Sequence, residues 1–491
     1  MATRNEPFSV KMILIFIQFL TMVSWFVERS SGFEGRNDES HFGSVEISSF
    51  LPADVCTHSA IKGFNKRQST MEILHRHGPC SQNKASTAPS LSEILSQDQA
   101  RVESIQARID PYSNTNKSKL DNLNSKLNNF DDKKAKLPVQ SGRSLGSGNY
   151  IVTIGLGTPK RTLSLMFDTG SDLTWTQCQP CARSCYQQQE PIFNPLTSRS
   201  YKNVSCNSAE CSQLSSATGN SPGCTTTTCV YGIQYGDQSF SVGFFSRDKL
   251  TISAADVFPN FLFGCGQNNQ GLFGNTAGLL GLGRNALSIV SQTAPKYGKY
   301  FSYCLPSTSS KTGHLTLGKT RPLTRVNFTP LDRSQGTAFY FIDIVSISVG
   351  GRQLPIRQSV FQTAGGIIDS GTVITRLPPA AYSAMSAAFR KLMSKYPIAR
   401  AYSILDTCYD LSGHTSVSIP IISFTFGGNV KLDLDPTGIL VAVAKSRLCL
   451  AFAGNSDASS VAIYGNTQQK TFEVLYDVGA GKVGFGAAGC K

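Results

Sequence analysis

The amino-acid sequence predicts a mainly β protein of two related lobes with few short helices, and two observations carry that expectation. The first is composition. Charged residues make up only 16% of the 491-residue chain, while Gly, Ser, Thr and β-branched residues are plentiful, a balance that favours strands over helices. The second is an internal repeat. Leu165-Met166-Phe167-Asp168-Thr169-Gly170-Ser171 is echoed by Gly366-Ile367-Ile368-Asp369-Ser370-Gly371-Thr372. An apolar-apolar-Gly strand follows each copy, Leu279-Leu280-Gly281 after the first and Ile463-Tyr464-Gly465 after the second. The same order met twice predicts two lobes about a pseudo-two-fold axis, each giving one Asp to a shared cleft.

In each copy the apolar pair reads as the end of a buried strand, and the Gly lets the backbone turn behind the carboxylate. The flanking hydroxyls orient that carboxylate by hydrogen bonding. One Asp-Thr-Gly alone is ordinary turn chemistry. Two copies with the same apolar prefix and trailing hydroxyl point instead to a pair of working carboxylates, Asp168 and Asp369.

From the amino end, Lys11 precedes a mostly apolar run, Met12 to Val27, followed by Glu28-Arg29-Ser30-Ser31-Gly32. This fits a secretory signal peptide over residues 1–31; lacking a clean small-x-small cleavage site, it leaves a retained signal anchor as the alternative. The tail Gly489-Cys490-Lys491 carries no apolar stretch, so no stable membrane anchor is expected. Fourteen cysteines accord with secretion, Cys56 and Cys80 lying early and twelve after residue 141, an even number suited to disulfides. Cys178-x2-Cys181-x3-Cys185 also reads as a metal knuckle, but with only six His in the chain disulfides are favoured and no metal is expected.

Residues 32–140 differ in texture and are expected to form a helical pro-segment. Ser90-Leu91-Ser92-Glu93 is a capping box opening a helix through Ile94, Leu95, Val102, Ile105 and Ile109. Leu120, Leu123, Leu127 and Phe130 recur at helical spacing farther on. Asp131-Asp132-Lys133-Lys134-Ala135-Lys136 then leads to an exposed, cleavable linker. The segment is expected to act in cis as an inhibitor, its Lys residues seated near the catalytic carboxylates. His75-Arg76-His77 is expected to serve folding.

The first lobe is placed at 141–331. Tyr150 to Pro159 alternates and turns, and Thr162 to Phe167 is the strand ending at Asp168. Trp175 follows, then a cysteine-rich insertion from Cys178 to Cys229. Tyr231 to Ser239 reads as a hairpin with Gly236-Asp237 at its tip, and Phe261 to Gly264 as a strand. The second lobe, 332–491, opens with a hairpin across Gly350-Gly351. After Asp369, Ala381 to Tyr396 is the clearest helix, with Met385, Ala388, Phe389 and Leu392 on one face.

The two Asp motifs resemble those of the pepsin-type aspartic proteases, and the cysteine-rich insertion resembles that of the plant nepenthesin-type members. The resemblance covers about residues 148–491. It implies a bilobal pepsin-like fold and an aspartic endopeptidase acting on protein and peptide substrates as a monomer without a cofactor. Asp168 and Asp369 would share one proton and activate a water between them. Thr169 and Ser370 would interlock the loops beneath the dyad, while Ser171 and Thr372 bond the outer carboxylate oxygens. Tyr235 would be the tyrosine of a flap closing over substrate, and Trp175 its hydrogen-bonding partner. Gln238 departs from the Gly common at the flap tip. The implied disulfides are Cys178–Cys181, Cys185–Cys265, Cys206–Cys229, Cys211–Cys224, Cys304–Cys490 and Cys408–Cys449.

A net charge of +14, carried mainly after residue 140, suggests retention on polyanions such as a pectic cell wall. Asn203 and Asn327 head glycosylation sequons in the mature part and Asn116 one in the pro-segment. Three function classes follow: a secreted acid endopeptidase of the apoplast or vacuole; a non-catalytic inhibitor or binding protein on the same fold; and a plastid nucleoid protease that binds DNA. The intact dyad and flap residues favour the first over the second. The long apolar run at the amino end favours it over the third, which requires a transit peptide.

Overall fold

Alternating apolar residues place strands along most of the chain, and their pairing builds the predicted repeat. The computed structural model describes residues 41–51, 53–58, 69–81, 90–109, 150–235, 239–271, 273–319, 325–332, 334, 336, 338–363, 365–487 and 489–490. All elements named below belong to one unit, Gly43–Lys491. The signal run, the second helical stretch with its linker, the sequon at Asn116 and the flap tip with Gln238 lie outside the described residues.

Residues 32–140, expected to form a helical pro-segment, hold two strands, Phe42–Glu46 and Ser69–His75, as well as a helix. Strand β1 (Ser69–His75) buries alternate residues Ser69, Met71 and Ile73. It pairs antiparallel with Gly313–Leu317 along five residues, and through Leu74 and His75 with Ile151 and Tyr150. A period-two stripe of this kind suits a sheet buried on one face. Helix α1 (Leu91–Ile109) opens on the expected capping box: the Ser90 N–H donates to Glu93 Oε2 at 2.7 Å and the Glu93 N–H to Ser90 Oγ at 3.2 Å.

In the first lobe β2 (Tyr150–Leu156) and β3 (Arg161–Asp168) pair antiparallel. After β4 (Trp175–Gln177) come β5 (Thr228–Gln234) and β6 (Phe240–Ser253), the strands of the hairpin expected to be a flap, then β7 (Asp256–Gln270) and β8 (Gly278–Gly281). Strand β8 runs parallel to β3, with Gly281 opposite Asp168, and antiparallel to β4, which is parallel to β7. The second lobe repeats this. Its strands are β9 (Gly366–Ile368) and β10 (Thr375–Leu377), then, beyond α2 (Pro379–Leu392), β11 (Phe452–Gly454) and β12 (Ala462–Tyr464). Strand β12 is parallel to β9 and antiparallel to β10, which is parallel to β11. The order β3-β8-β4-β7 thus corresponds to β9-β12-β10-β11, and each Asp leaves the end of an equivalent strand.

A shared sheet floors the cleft: Val326–Pro330, Lys482–Gly486, Glu473–Asp477, Tyr300–Cys304 and Gly313–Leu317 in order, then β1 and β2. Its aromatic residues pack beneath the dyad. Phe301 stacks on Tyr476 at 4.5 Å, and Tyr303 meets the edge of Phe167 at 4.9 Å. Each buried ring contributes about 1.5–3 kcal/mol, so the residue just before Asp168 is firmly held.

Helix α2 lies earlier than expected: Pro379 at its first turn starts it, and the chain leaves it at Met393. Met385 and Phe389 are buried as expected; Leu392 is on the surface, and Met393 and Tyr396 fill the core beyond it.

The structure corrects four of the implied disulfides. Cys178 pairs with Cys265 and Cys181 with Cys185, because β4 runs beside β7 and brings the Cys178 N–H to the Gly266 carbonyl at 2.7 Å. Cys206 pairs with Cys224 and Cys211 with Cys229. Cys211 and Cys229 are both buried in a core shared with Met166, Trp175 and Tyr231, and Cys224 is exposed. Cys304–Cys490, Cys408–Cys449 and, in the pro-segment, Cys56–Cys80 complete the set. Among the described residues no helix is long and apolar enough to cross a membrane.

Candidate active site

The two Asp loops meet across the cleft. The Gly170 N–H donates to Asp168 Oδ1 at 2.9 Å, and the Gly371 N–H to Asp369 Oδ1 at 3.1 Å. A Cβ on Gly170 would stand 2.7 Å from Asp369 Oδ1, and one on Gly371 2.6 Å from Asp168 Oδ1. Only glycine lets the loops approach this closely. Behind them the Ser370 N–H donates to Thr169 Oγ1 at 2.9 Å and the Thr169 N–H to Ser370 Oγ at 3.1 Å. The two lobes therefore satisfy one another's buried N–H groups, which would otherwise be costly.

Thr372 Oγ1 donates to Asp369 Oδ2 at 2.6 Å. Ser171 departs from its expected role: its buried hydroxyl has no partner among the described residues. The outer oxygen of Asp168 is approached instead by a guanidinium.

That guanidinium belongs to Arg101 in α1. Its Nη2 donates to Asp168 Oδ1 at 2.7 Å and Asp369 Oδ1 at 3.0 Å, its Nε to Asp369 Oδ2 at 3.0 Å, and its Nη1 to Asp168 Oδ2 at 3.4 Å. One side chain thus supplies all four carboxylate oxygens. A pro-segment Lys was expected here, but a lysine is a point charge, whereas the planar fork of arginine spans two carboxylates. Burial alone pushes the Asp369 carboxyl up; the charge and hydrogen bonds of Arg101 outweigh it and hold Asp369 below the usual carboxylate range. Burial likewise opposes the charge on Arg101, and the two carboxylates overcome that too.

The rest of α1 is fixed along the second-lobe side of the cleft. Asp98 accepts N–H bonds from Val373 and Ile374 and pairs with the buried Arg376. The Gln106 amide exchanges two hydrogen bonds with the Val461 backbone at 2.7 and 2.8 Å. Val102 and Ile105 pack with Phe339, Phe341 and Ile463, while Leu95 packs with Val373 and Ile374. The Arg108 guanidinium lies 4.8 Å from the centre of the Phe339 ring.

On the flap side Trp175 Nε1 donates to the Tyr235 hydroxyl at 2.9 Å. Phe273 braces both, 4.7 Å from Trp175 and 5.5 Å from Tyr235 between ring centres. The space left beside Tyr235 is lined by Arg101, Ile105 and Arg108 of α1 together with Asp168 and Phe273.

Behind β3, Arg76 is buried, donating to His77 Nε2 at 2.9 Å and reaching Met166 Sδ at 3.8 Å. Burial pushes His75 down to about 3 and His77 to about 2, so both are neutral struts. Asn203 and Asn327 are exposed. The structure brings Asp168, Asp369, Thr169, Ser370, Thr372, Trp175 and Tyr235 together in one region, with Ser171 beside them but without its expected bond; sequence reasoning missed Asp98, Arg101, Phe273 and Arg376. The available signal was the charge at positions 98 and 101, interrupting the apolar face of Leu95, Val102 and Ile105.

Two family profiles match the chain, one described as xylanase inhibitor N-terminal over residues 150–319 and one as xylanase inhibitor C-terminal over 339–487. The chain is 53% identical over 465 residues to an aspartyl protease family protein of Arabidopsis thaliana, covering 94% of this chain and 95% of that one. It is 46% identical over 448 residues to aspartyl protease AED1 of the same plant, covering 91% and 92%. To aspartic proteinase nepenthesin-2 of Nepenthes gracilis it is 40% identical over 344 residues, covering 68% and 76%. Among solved structures, basic 7S globulin from soybean superposes with a TM-score of 0.56 at 22% identity, covering 70% of this chain and 94% of that one. That likeness speaks to the fold alone.

Proposed function

The chain belongs to the plant nepenthesin-type aspartic proteases, and on that premise we propose that it is a secreted acid endopeptidase, made as a zymogen whose own pro-segment blocks the catalytic dyad. The observation that carries this reading is the single guanidinium of Arg101 held by both carboxylates. An intact dyad on interlocked loops, filled by a cleavable segment of the same chain, is what a latent protease requires.

With Arg101 gone, two like charges at this distance do not both persist, and the dyad holds one shared proton. The ionised carboxylate takes a proton from a water as that water attacks the peptide carbonyl; the protonated one donates to the carbonyl oxygen. The Gly170 and Gly371 N–H groups and Thr372 keep both carboxylates aimed, and the Tyr235–Trp175 pair closes the cleft over substrate. In the gem-diol that results from the attack, the carboxylate now ionised takes a proton from one hydroxyl while the other carboxyl gives its proton to the nitrogen, so the C–N bond breaks to leave a new carboxyl and a new amine.

Acid supplies the release. Docked Arg101 depresses Asp369, so its stabilisation is present above the ordinary carboxylate pKa and lost as pH falls through the lowered one. The free dyad regains its proton over the same window, so acid both undocks the helix and arms the site. The seven disulfides among the described residues support an oxidising compartment such as the apoplast.

The xylanase-inhibitor descriptions of the matching profiles favour a second reading, a non-catalytic binding protein. Digestion of a denatured protein from about pH 3 to 8, with and without pepstatin, separates the two. Acid-limited, pepstatin-sensitive cleavage is expected; a folded, pro-segment-free protein that cleaves nothing refutes the protease reading.

A further inference from the structure

The pro-segment helix makes a second charged contact one turn before Arg101. We propose that Arg376, with the backbone N–H groups of Val373 and Ile374, forms a substrate subsite that selects an acidic side chain, aspartate or glutamate, next to the scissile bond. The inference rests on the reading of the chain as an endopeptidase whose pro-segment departs.

Asp98 shows how the subsite is built. Its Oδ1 accepts from the Val373 N–H at 2.5 Å; its Oδ2 accepts from the Ile374 N–H at 3.1 Å and from Arg376 Nη2 at 3.0 Å. Two backbone donors and one guanidinium converging on a carboxylate make a charge-assisted, geometrically selective receptor. The donors are preorganised. Val373 and Ile374 follow Thr372, which itself holds Asp369, and Arg376 lies in β10, where its Nη1 donates to the Ile374 carbonyl at 3.0 Å.

Arg376 is only 1% exposed and Asp98 wholly buried. The side-chain acceptors recorded for Arg376 are Asp98 and, at 3.4 Å, Gln99, and both belong to α1. Its Nε has no partner among the described residues. Departure of the pro-segment therefore removes the counter-charge of a cation in the cleft wall and opens it to water, and an arriving carboxylate can restore the pair. The peptide substrate is what next enters that space.

Position follows from the helix. Asp98 and Arg101 are three residues apart on one face, separated by about 4.5 Å of rise. An extended substrate advances about 3.3 Å per residue. With Arg101 marking the dyad, the acidic side chain falls one or two residues from the cleaved bond, on the side of the second lobe.

The test uses acid-activated, pro-segment-free enzyme and a peptide copied from a site it cuts in a denatured protein. Positions flanking the bond are occupied in turn by Asp or Asn, at about pH 5, where a free Asp is ionised. At one position, one or two residues from the bond, Asp is expected to raise kcat/KM at least about tenfold over Asn, mainly through KM. Arg376→Met is expected to bring that ratio to near one, and Arg376→Lys to restore part of it. Equal cleavage of Asp and Asn peptides at every position by the unaltered enzyme overturns the proposal, whether or not the variants fold. So does a preference that survives in Arg376→Met. Failure to cut any peptide or denatured protein refutes instead the protease reading beneath it.

Discussion

Replacing Arg101 by Met probes the proposed latency most sharply. The substitution keeps an unbranched stem of similar reach but removes four N–H contacts to the two buried carboxylates. Deleting one partner of a buried ion pair costs about 3–5 kcal/mol, which shifts the docked-to-open ratio of the pro-segment by about a hundredfold to a few thousandfold. At acid pH the dyad's own shared proton relieves part of that cost, so the difference from the unaltered chain is largest near neutrality. The assay is hydrolysis of a quenched fluorescent peptide by full-length protein at about pH 5, where single carboxylates are mostly ionised while a free dyad still keeps much of its shared proton, before any chain cleavage. Trypsin sensitivity of α1 is followed in parallel. The variant is expected to act at once, with its helix cut readily, while the unaltered chain shows a long lag and a protected helix. Both should reach the same rate after acid treatment. A variant as latent and as protected as the unaltered chain would refute the assignment of Arg101 as the plug.

Other expectations concern the mature site. Thr169→Val leaves the buried Ser370 N–H without its 2.9 Å acceptor and should cost about 1–3 kcal/mol, read as a lower denaturation midpoint at unchanged m. Trp175→Phe removes the 2.9 Å bond to Tyr235, worth about 1 kcal/mol; kcat/KM should fall about fivefold with the acid-side pH profile unmoved. Cys265→Ser should free the thiol of Cys178, detectable by alkylation and peptide mapping, while Cys181–Cys185 stays closed; a free Cys185 would restore the other pairing.

The dyad was legible because each loop is a local motif with its neighbours in sequence: the strand end, the turn and the orienting hydroxyls all lie within seven residues. Helix α1 was legible for the same reason, through its capping box and apolar spacing. What those elements meet was not. Strand β1 has only Met71 and Ile73 as strongly apolar inward residues, and its partner Gly313–Leu317 lies more than two hundred residues away. Pairing of Cys178 with Cys265 depends on the β4–β7 register, which no spacing of cysteines encodes. Arg101 and Asp98 are not singled out by the sequence because their carboxylate and cation partners come from other segments of the fold. Ser171 shows the opposite case: the right residue in the right motif, with its expected acceptor engaged by Arg101.

The most direct test of the central claim is to exchange each carboxylate singly. Asp168→Asn and Asp369→Asn keep the loop shapes but remove the shared proton chemistry, so each should leave a folded protein whose acid cleavage of a denatured substrate falls by several orders of magnitude. Each should also bind the pro-segment more weakly, since Arg101 loses one of its two counter-charges. Substantial acid activity in either folded variant would contradict the account, because a dyad cannot work with one carboxylate.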